Sequence, residues 1–292
     1  MRSLAFALVF AGCAPTGSVY DPATWDDAAA VCPLVAPDGG PPVAGYGTLQ
    51  PVSADCADWI GDNFEFDWES FGEEPHAFTQ PITPVERTIA GLIVAFGATG
   101  VRVDEVLSEG IPVDFGDELQ AYAQSNRLDD DDDAARLWFP YLYFKISDVR
   151  YTGTTEYLMA FHDGTVSVGA ISPQNQDGTS GIWFDSEGAP AELAAAALVH
   201  EAAHDTYPDH VDCVDATGEV THVDGCDESP DGAYGSGLWW LSHWITENGT
   251  RLSQHECFHD WMAWAEYCGR IYDVGDFPAC SFEDDPCDAG SE

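Results

Sequence analysis

Residues 198–213 read LVHEAAHDTYPDHVDC and carry three histidines and a glutamate between positions 200 and 210. His200 and His204 stand four apart, so on a helix they share one face and can offer two imidazole nitrogens to a single ion. Glu201 lies ~100° around that helix from His200, close enough to reach water beside an ion without ligating it. Two neutral imidazoles suit zinc, which lowers the pKa of water toward ~7. Glu201 would then take the water proton and pass it to a leaving amine. A catalytic zinc needs a third protein ligand. His210, ten residues after His200, is the preferred one, and Asp231 is the alternative. Tyr234 would serve as an oxyanion donor with either ligand set. A buried core tyrosine beside two turn glycines is the competing reading of the same residue.

A second string of the same form, HECFH, occupies residues 255–259. It too reads as helix, but Cys257 lies inside it, and Phe258, Trp261 and Trp264 point to packing. The first string is the expected active helix, because it follows a strand and a turn and sits among alanines. The second is read as structural or as support for the first, with a second metal site at His255 and His259 as the alternative.

HEAAHDTYPDH has the histidine spacing of the metzincin metallopeptidases, HExxHxxGxxH. It differs from them at Tyr207, which stands where they have glycine, and at Met262, which falls in a helical pattern where they have a methionine turn. PDGAYG at 230–235 resembles the aspartate motif GTxDxxYG of the aspzincin (deuterolysin-like) peptidases. The resemblance implies zinc held by His200, His204 and either His210 or Asp231, with Glu201 as base and Tyr234 assisting the transition state. It also implies a peptide or protein substrate laid along an edge strand, for which GIWFD at 181–185 is placed just before the helix.

The elements that must position these residues are legible in outline. ITPVERTIAGLIVAFG has Thr83 as N-cap, Pro84 at N1 and Glu86 at N3, with Ile89, Leu92, Ile93 and Phe96 at helical spacing. A shorter helix is expected near 115–126. LWFPYLYFKISDVRY at 137–151 is aromatic and β-branched and reads as strand, with Pro140 at an edge or bend. EYLMAF (156–161) and TVSVGAI (165–171) flank a tight-turn signal and predict a hairpin. Alanine-rich 191–204 predicts the helix that carries the motif. Further helices are expected over about 232–247 and 251–270. The expected fold is therefore α+β: a zincin-like mixed sheet and active-site helix, then a largely helical, disulfide-linked C-terminal part.

The chain opens MRSLAFALVFAGCAPTG. One arginine, a short apolar run and small residues before Cys13 resemble a bacterial lipoprotein signal. This implies removal of residues 1–12, lipidation of Cys13 and anchoring to the cell envelope by lipid alone. An ordinary secretory signal is the alternative. Residues 13–45, rich in Pro, Gly and Ala, read as a tether, and 46–292 as one domain. Beyond Cys13, eight of the nine cysteines remain, an even set that suggests a disulfide framework in an exported chain. Proximity in sequence predicts Cys32–Cys56 and Cys213–Cys226, and leaves three pairings for Cys257, Cys268, Cys280 and Cys287.

The chain carries 9 Lys+Arg against 52 Asp+Glu, a formal net charge of -43, and Lys145 is its single lysine. Such a surface repels nucleic acid and anionic membranes. It suits saline, halophilic surroundings in which counterions screen self-repulsion. The run DDDDD at 129–133 lacks the glycine and spaced carboxylates of a calcium loop and reads as solvated. The expected function is an exported, lipid-anchored zinc metallopeptidase, a hydrolase. The alternative is a non-catalytic zincin-like surface lipoprotein, binding or structural, stabilised by calcium or salt.

Overall fold

The computed structural model describes residues 30–32, 53–71, 91–95, 142, 146, 148–151, 159–162, 165–168, 191–204, 210–213, 219–220, 225–228, 232–248, 264–265, 267–271 and 280. Helix α1 spans Ala54–Asn63. The Ser53 side chain caps it by accepting from the Cys56 amide at 3.1 Å, and Asp55 adds negative charge to the first turn. Its buried face holds Cys56, Ala57 and Ile60. A disulfide joins Cys56 to Cys32, and the Ser53 hydroxyl donates to the Val31 carbonyl at 3.3 Å, so the segment around Cys32 is tied to α1.

A short helix, α2 (Trp68–Phe71), follows. The chain between α1 and α2 meets strand β1 (Asp148–Tyr151) through a parallel bridge, Phe66 to Val149. Strands β2 (Met159–His162) and β3 (Thr165–Val168) pair antiparallel, with two residues between their facing ends. β1 pairs with β3 in parallel, giving a three-stranded mixed sheet of order β1-β3-β2.

Within 137–151 the described residues are not all strand, as the composition predicts they would be. Leu142 is helical, and the Ile146 amide donates to the Leu142 carbonyl at 2.9 Å; among the described residues of this stretch only Asp148–Tyr151 is strand. The aromatic run signals a half-buried surface more than an extended backbone.

Helix α3 (Ala191–Ala203) lies over β2 and β3. Residues 192–203 are all buried, Glu192 in the first turn included. Alanine favours helix and lets neighbours come close on every side, which suits a helix with no solvent face. The helical residues 91–95 approach it where Gly91 meets Ala194. Their predicted cap at Thr83 falls outside the described residues.

Helix α4 (Ala233–Asn248) packs along α3. Trp240 and Trp244, one turn apart and fully buried, stack at 5.4 Å. Gly237 permits the close crossing of the two helices. A Cβ there would lie 2.9 Å from the Ala196 carbonyl oxygen and 3.1 Å from His200 Cβ. The helix carrying His200 is thus positioned from one side by the sheet and from the other by a glycine contact.

Two further disulfides join Cys213 to Cys226 and Cys268 to Cys280. The first of these and Cys32–Cys56 are the pairs that sequence proximity predicts. The third resolves part of the last four cysteines, and Cys257 and Cys287 fall outside the described residues. Such bridges are compatible with an extracellular protein. Among the described residues no helix is long and apolar enough to cross a membrane. The expected leader, Cys13, the expected strand at 181–185 and the expected helix at 115–126 lie outside the described residues.

Candidate metal centre

His200 and His204 leave the C-terminal end of α3, and His210 returns to them after the helix has ended. The ring centroids of His200 and His204 are 5.0 Å apart, those of His204 and His210 4.6 Å, and those of His200 and His210 5.1 Å. Each offers one nitrogen such that all three lie within 4.8 Å of one another. His200 is buried; His204 and His210 are half-buried.

Local pairing returns His210 to the helix. Val211 and Cys226 exchange both backbone hydrogen bonds, at 2.8 and 2.9 Å, in an antiparallel bridge. The Cys213–Cys226 disulfide closes the same loop. One position farther along this register, His210 faces Asp227. The Asp227 amide donates to the Arg270 carbonyl at 2.8 Å, and the Arg270 guanidinium donates to the Gly225 carbonyl at 3.1 Å. The segment carrying His210 is therefore held by a bridge, a disulfide and the chain around Arg270.

Asp227 is buried, and both its oxygens are engaged. Oδ1 lies 2.8 Å from His210 Nδ1, and Oδ2 accepts from the Tyr234 amide at 2.7 Å. The second contact caps α4, whose preceding residue, Gly232, has no side chain to do so. Gly232 must also stay bare for another reason: a Cβ there would fall on the Asp227 carboxylate.

A carboxylate accepts, so His210 Nδ1 carries the proton and Nε2 keeps its lone pair. That Nε2 is 3.2 Å from His200 Nε2. Burial first, then the neighbouring His204, His210 and Arg270, holds His200 well below the usual histidine range, with partial compensation from the Ala233 backbone. His200 Nδ1 is buried and makes no well-formed hydrogen bond.

This arrangement fits a divalent transition metal. Tetrahedral bonds of ~2.05 Å to nitrogen place two ligand atoms ~3.3 Å apart, close to the observed 3.2 Å. Neutral imidazoles are the required form, and the environment of His200 enforces it. A carboxylate behind a ligating histidine is a recurrent device for fixing the ring.

Glu201, adjacent to His200 on α3, is buried. Tyr234 packs its ring 4.5 Å from His200 and 4.7 Å from His210, with the Arg270 guanidinium 5.5 Å from its centroid. Tyr267 lies 5.4 Å from Tyr234. The structure thus gathers His200, His204, His210 and Tyr234. Asp231, His255 and His259 fall outside the described residues. Asp227, Arg270 and Tyr267 carry no motif and were not singled out by sequence. For Asp227 the available signal is its position next to Cys226, whose pairing with Cys213 is predictable.

No protein-family model, curated protein or solved structure matches this chain.

Proposed function

We propose that this protein is an exported zinc metallopeptidase, anchored to the envelope through lipid on Cys13. The observation that carries the reading is the three-histidine group at the end of the helix that also holds Glu201. His200, His204 and His210 would hold the ion. Zinc bound there supplies Lewis acidity, polarising a carbonyl and making water nucleophilic at neutral pH.

The chain's own groups supply the rest. Glu201 accepts the proton of the attacking water and returns it to the departing amine. Glu201 is buried on α3 beside His200. Tyr234, whose ring packs on two of the histidines, would donate its phenol proton toward an oxyanion. The disulfides support export, and the charge of -43 argues against a polyanionic substrate.

The test combines zinc content after dialysis with cleavage of a broad peptide library. Wild type should retain one zinc and hydrolyse peptides. His204→Ala should lose the metal. Glu201→Gln should keep zinc and lose hydrolysis. Equal zinc in wild type and His204→Ala would sink the site. Zinc binding without cleavage of any peptide would leave a metal-binding surface protein instead.

A further inference from the structure

We propose that Asp227 is a positioning residue of the metal centre, holding His210 in the tautomer whose Nε2 lone pair faces His200 and His204. The inference rests on the trio being a metal site and is independent of peptide hydrolysis.

Asp227 is not one of the grouped ligands; it stands behind one of them. Its two oxygens have different partners with one chemical demand. The Tyr234 amide can only donate, so Oδ2 must accept. Oδ1 accepts in turn from His210 Nδ1 at 2.8 Å. The imidazole then has its proton on the side away from the trio. The ring is fixed in rotation as well as in tautomer, because the hydrogen bond holds Nδ1 while Nε2 points at His200.

The carboxylate itself has little room to drift. Asp227 is bonded through its amide to Arg270 and forms a parallel bridge with Ile271. Cys226, its neighbour, is bridged to Val211 and cross-linked to Cys213. Gly232 lies directly against the carboxylate. One side chain therefore couples the start of α4 to the third metal ligand.

This coupling predicts a distinctive effect for Asp227→Asn. The substitution preserves shape, and its amide oxygen must still serve the Tyr234 amide. Its NH2 group is then turned toward His210 Nδ1. A donor at that position demands an acceptor, so the His210 proton moves to Nε2, where it blocks the ligand lone pair. A residue that only capped α4 would have no such effect on the imidazole.

The experiment uses the full chain. Nitrogen-15 NMR of histidine-labelled, metal-free protein reads the tautomer, and competition with a chromogenic chelator reads zinc affinity. Wild type should show His210 protonated at Nδ1. D227N should show it protonated at Nε2 and bind zinc about 10–100-fold more weakly. Asp227→Glu, which restores an acceptor, should return the wild-type tautomer and part of the affinity. Retention of the Nδ1 proton in D227N, or zinc affinity within about twofold of wild type, overturns the proposal. A wild type that shows the expected tautomer and tight zinc binding yet cleaves no peptide supports this inference while removing the peptidase reading.

Discussion

Asp227 faces His210 across the antiparallel bridge of Val211 and Cys226, with Oδ1 2.8 Å from the imidazole Nδ1. The relationship ties a loop to a helix. The same carboxylate holds the first turn of α4 through the Tyr234 amide. Whatever displaces Asp227 should therefore disturb His210 and a helix start together.

Gly232→Ala tests that link without replacing a polar group. The new methyl would fall on the Asp227 carboxylate, so one of the two must move. Overpacking of this kind costs about 1–3 kcal/mol. Zinc affinity should fall as well, because His210 loses its fixed partner. Chemical denaturation of the metal-free protein and chelator competition measure the two effects separately. A loss of stability with unchanged zinc affinity would show that Asp227 and His210 move independently.

The helix carrying the motif was legible because the spacing of His200 and His204 and the alanine content both favour it. The β2–β3 pairing was legible because two apolar runs flank a turn signal. The contact of His210 with Asp227 was not. It depends on the register of a bridge across a disulfide loop, and a one-residue slip would turn Asp227 to the opposite face. The helical backbone at Leu142 was missed for a different reason. Aromatic and β-branched residues fill helical turns in a core as readily as strands when packing demands it, and composition does not distinguish the two. Gly237 likewise gave no signal, since a glycine inside a helix is read as a weakness until its neighbour is known.

Gly237→Ala sets two effects against each other. Alanine is favoured over glycine in a helix by about 1 kcal/mol. Yet the added Cβ would stand 2.9 Å from the Ala196 carbonyl oxygen and from Tyr267 Cε2, and 3.1 Å from His200 Cβ. Backbone oxygen does not yield as a flexible side chain would. The crowding should win, with a net loss of about 1 kcal/mol in the metal-free protein. Urea unfolding decides the sign, and a net gain would mean that α3 and α4 can separate without cost.

His200 carries a pH dependence whose sign follows from its environment. Burial, with His204, His210 and Arg270 beside it, holds its pKa well below the usual 6.5. Between 6.5 and that lowered value the unfolded chain binds a proton that the folded chain refuses. The stabilisation is whole above pH 6.5 and is lost as pH falls through the window. Each group of this kind contributes at most ~1.4 kcal/mol per pH unit. Acid also relieves the repulsion of the 52 acidic side chains, so the comparison must be made against a variant. Metal-free wild type should lose about 1 kcal/mol more than His200→Gln between about pH 7.5 and about pH 5.5. Equal losses would place the histidine in a more open setting than its burial indicates.

The Cys213–Cys226 disulfide should matter to the metal beyond its effect on stability. Its cysteines are 13 residues apart, and closing a loop of that size stabilises by about 3 kcal/mol through the unfolded chain. The Cys32–Cys56 bridge, of separation 24, should contribute a similar amount. The two differ in what they hold. Cys56 lies in α1, whereas Cys226 is the bridge partner of Val211 and the neighbour of Asp227. Replacing either pair by serine should lower the denaturation midpoint comparably. Only the Cys213→Ser/Cys226→Ser protein should also bind zinc more weakly while still folded, because the Val211–Cys226 bridge and the Arg270 contacts then keep His210 opposite Asp227 without a covalent tie. Chelator competition well below each unfolding transition makes the comparison. Equal zinc affinities in the two double variants would mean that the bridge and the Arg270 contacts suffice to place the third ligand.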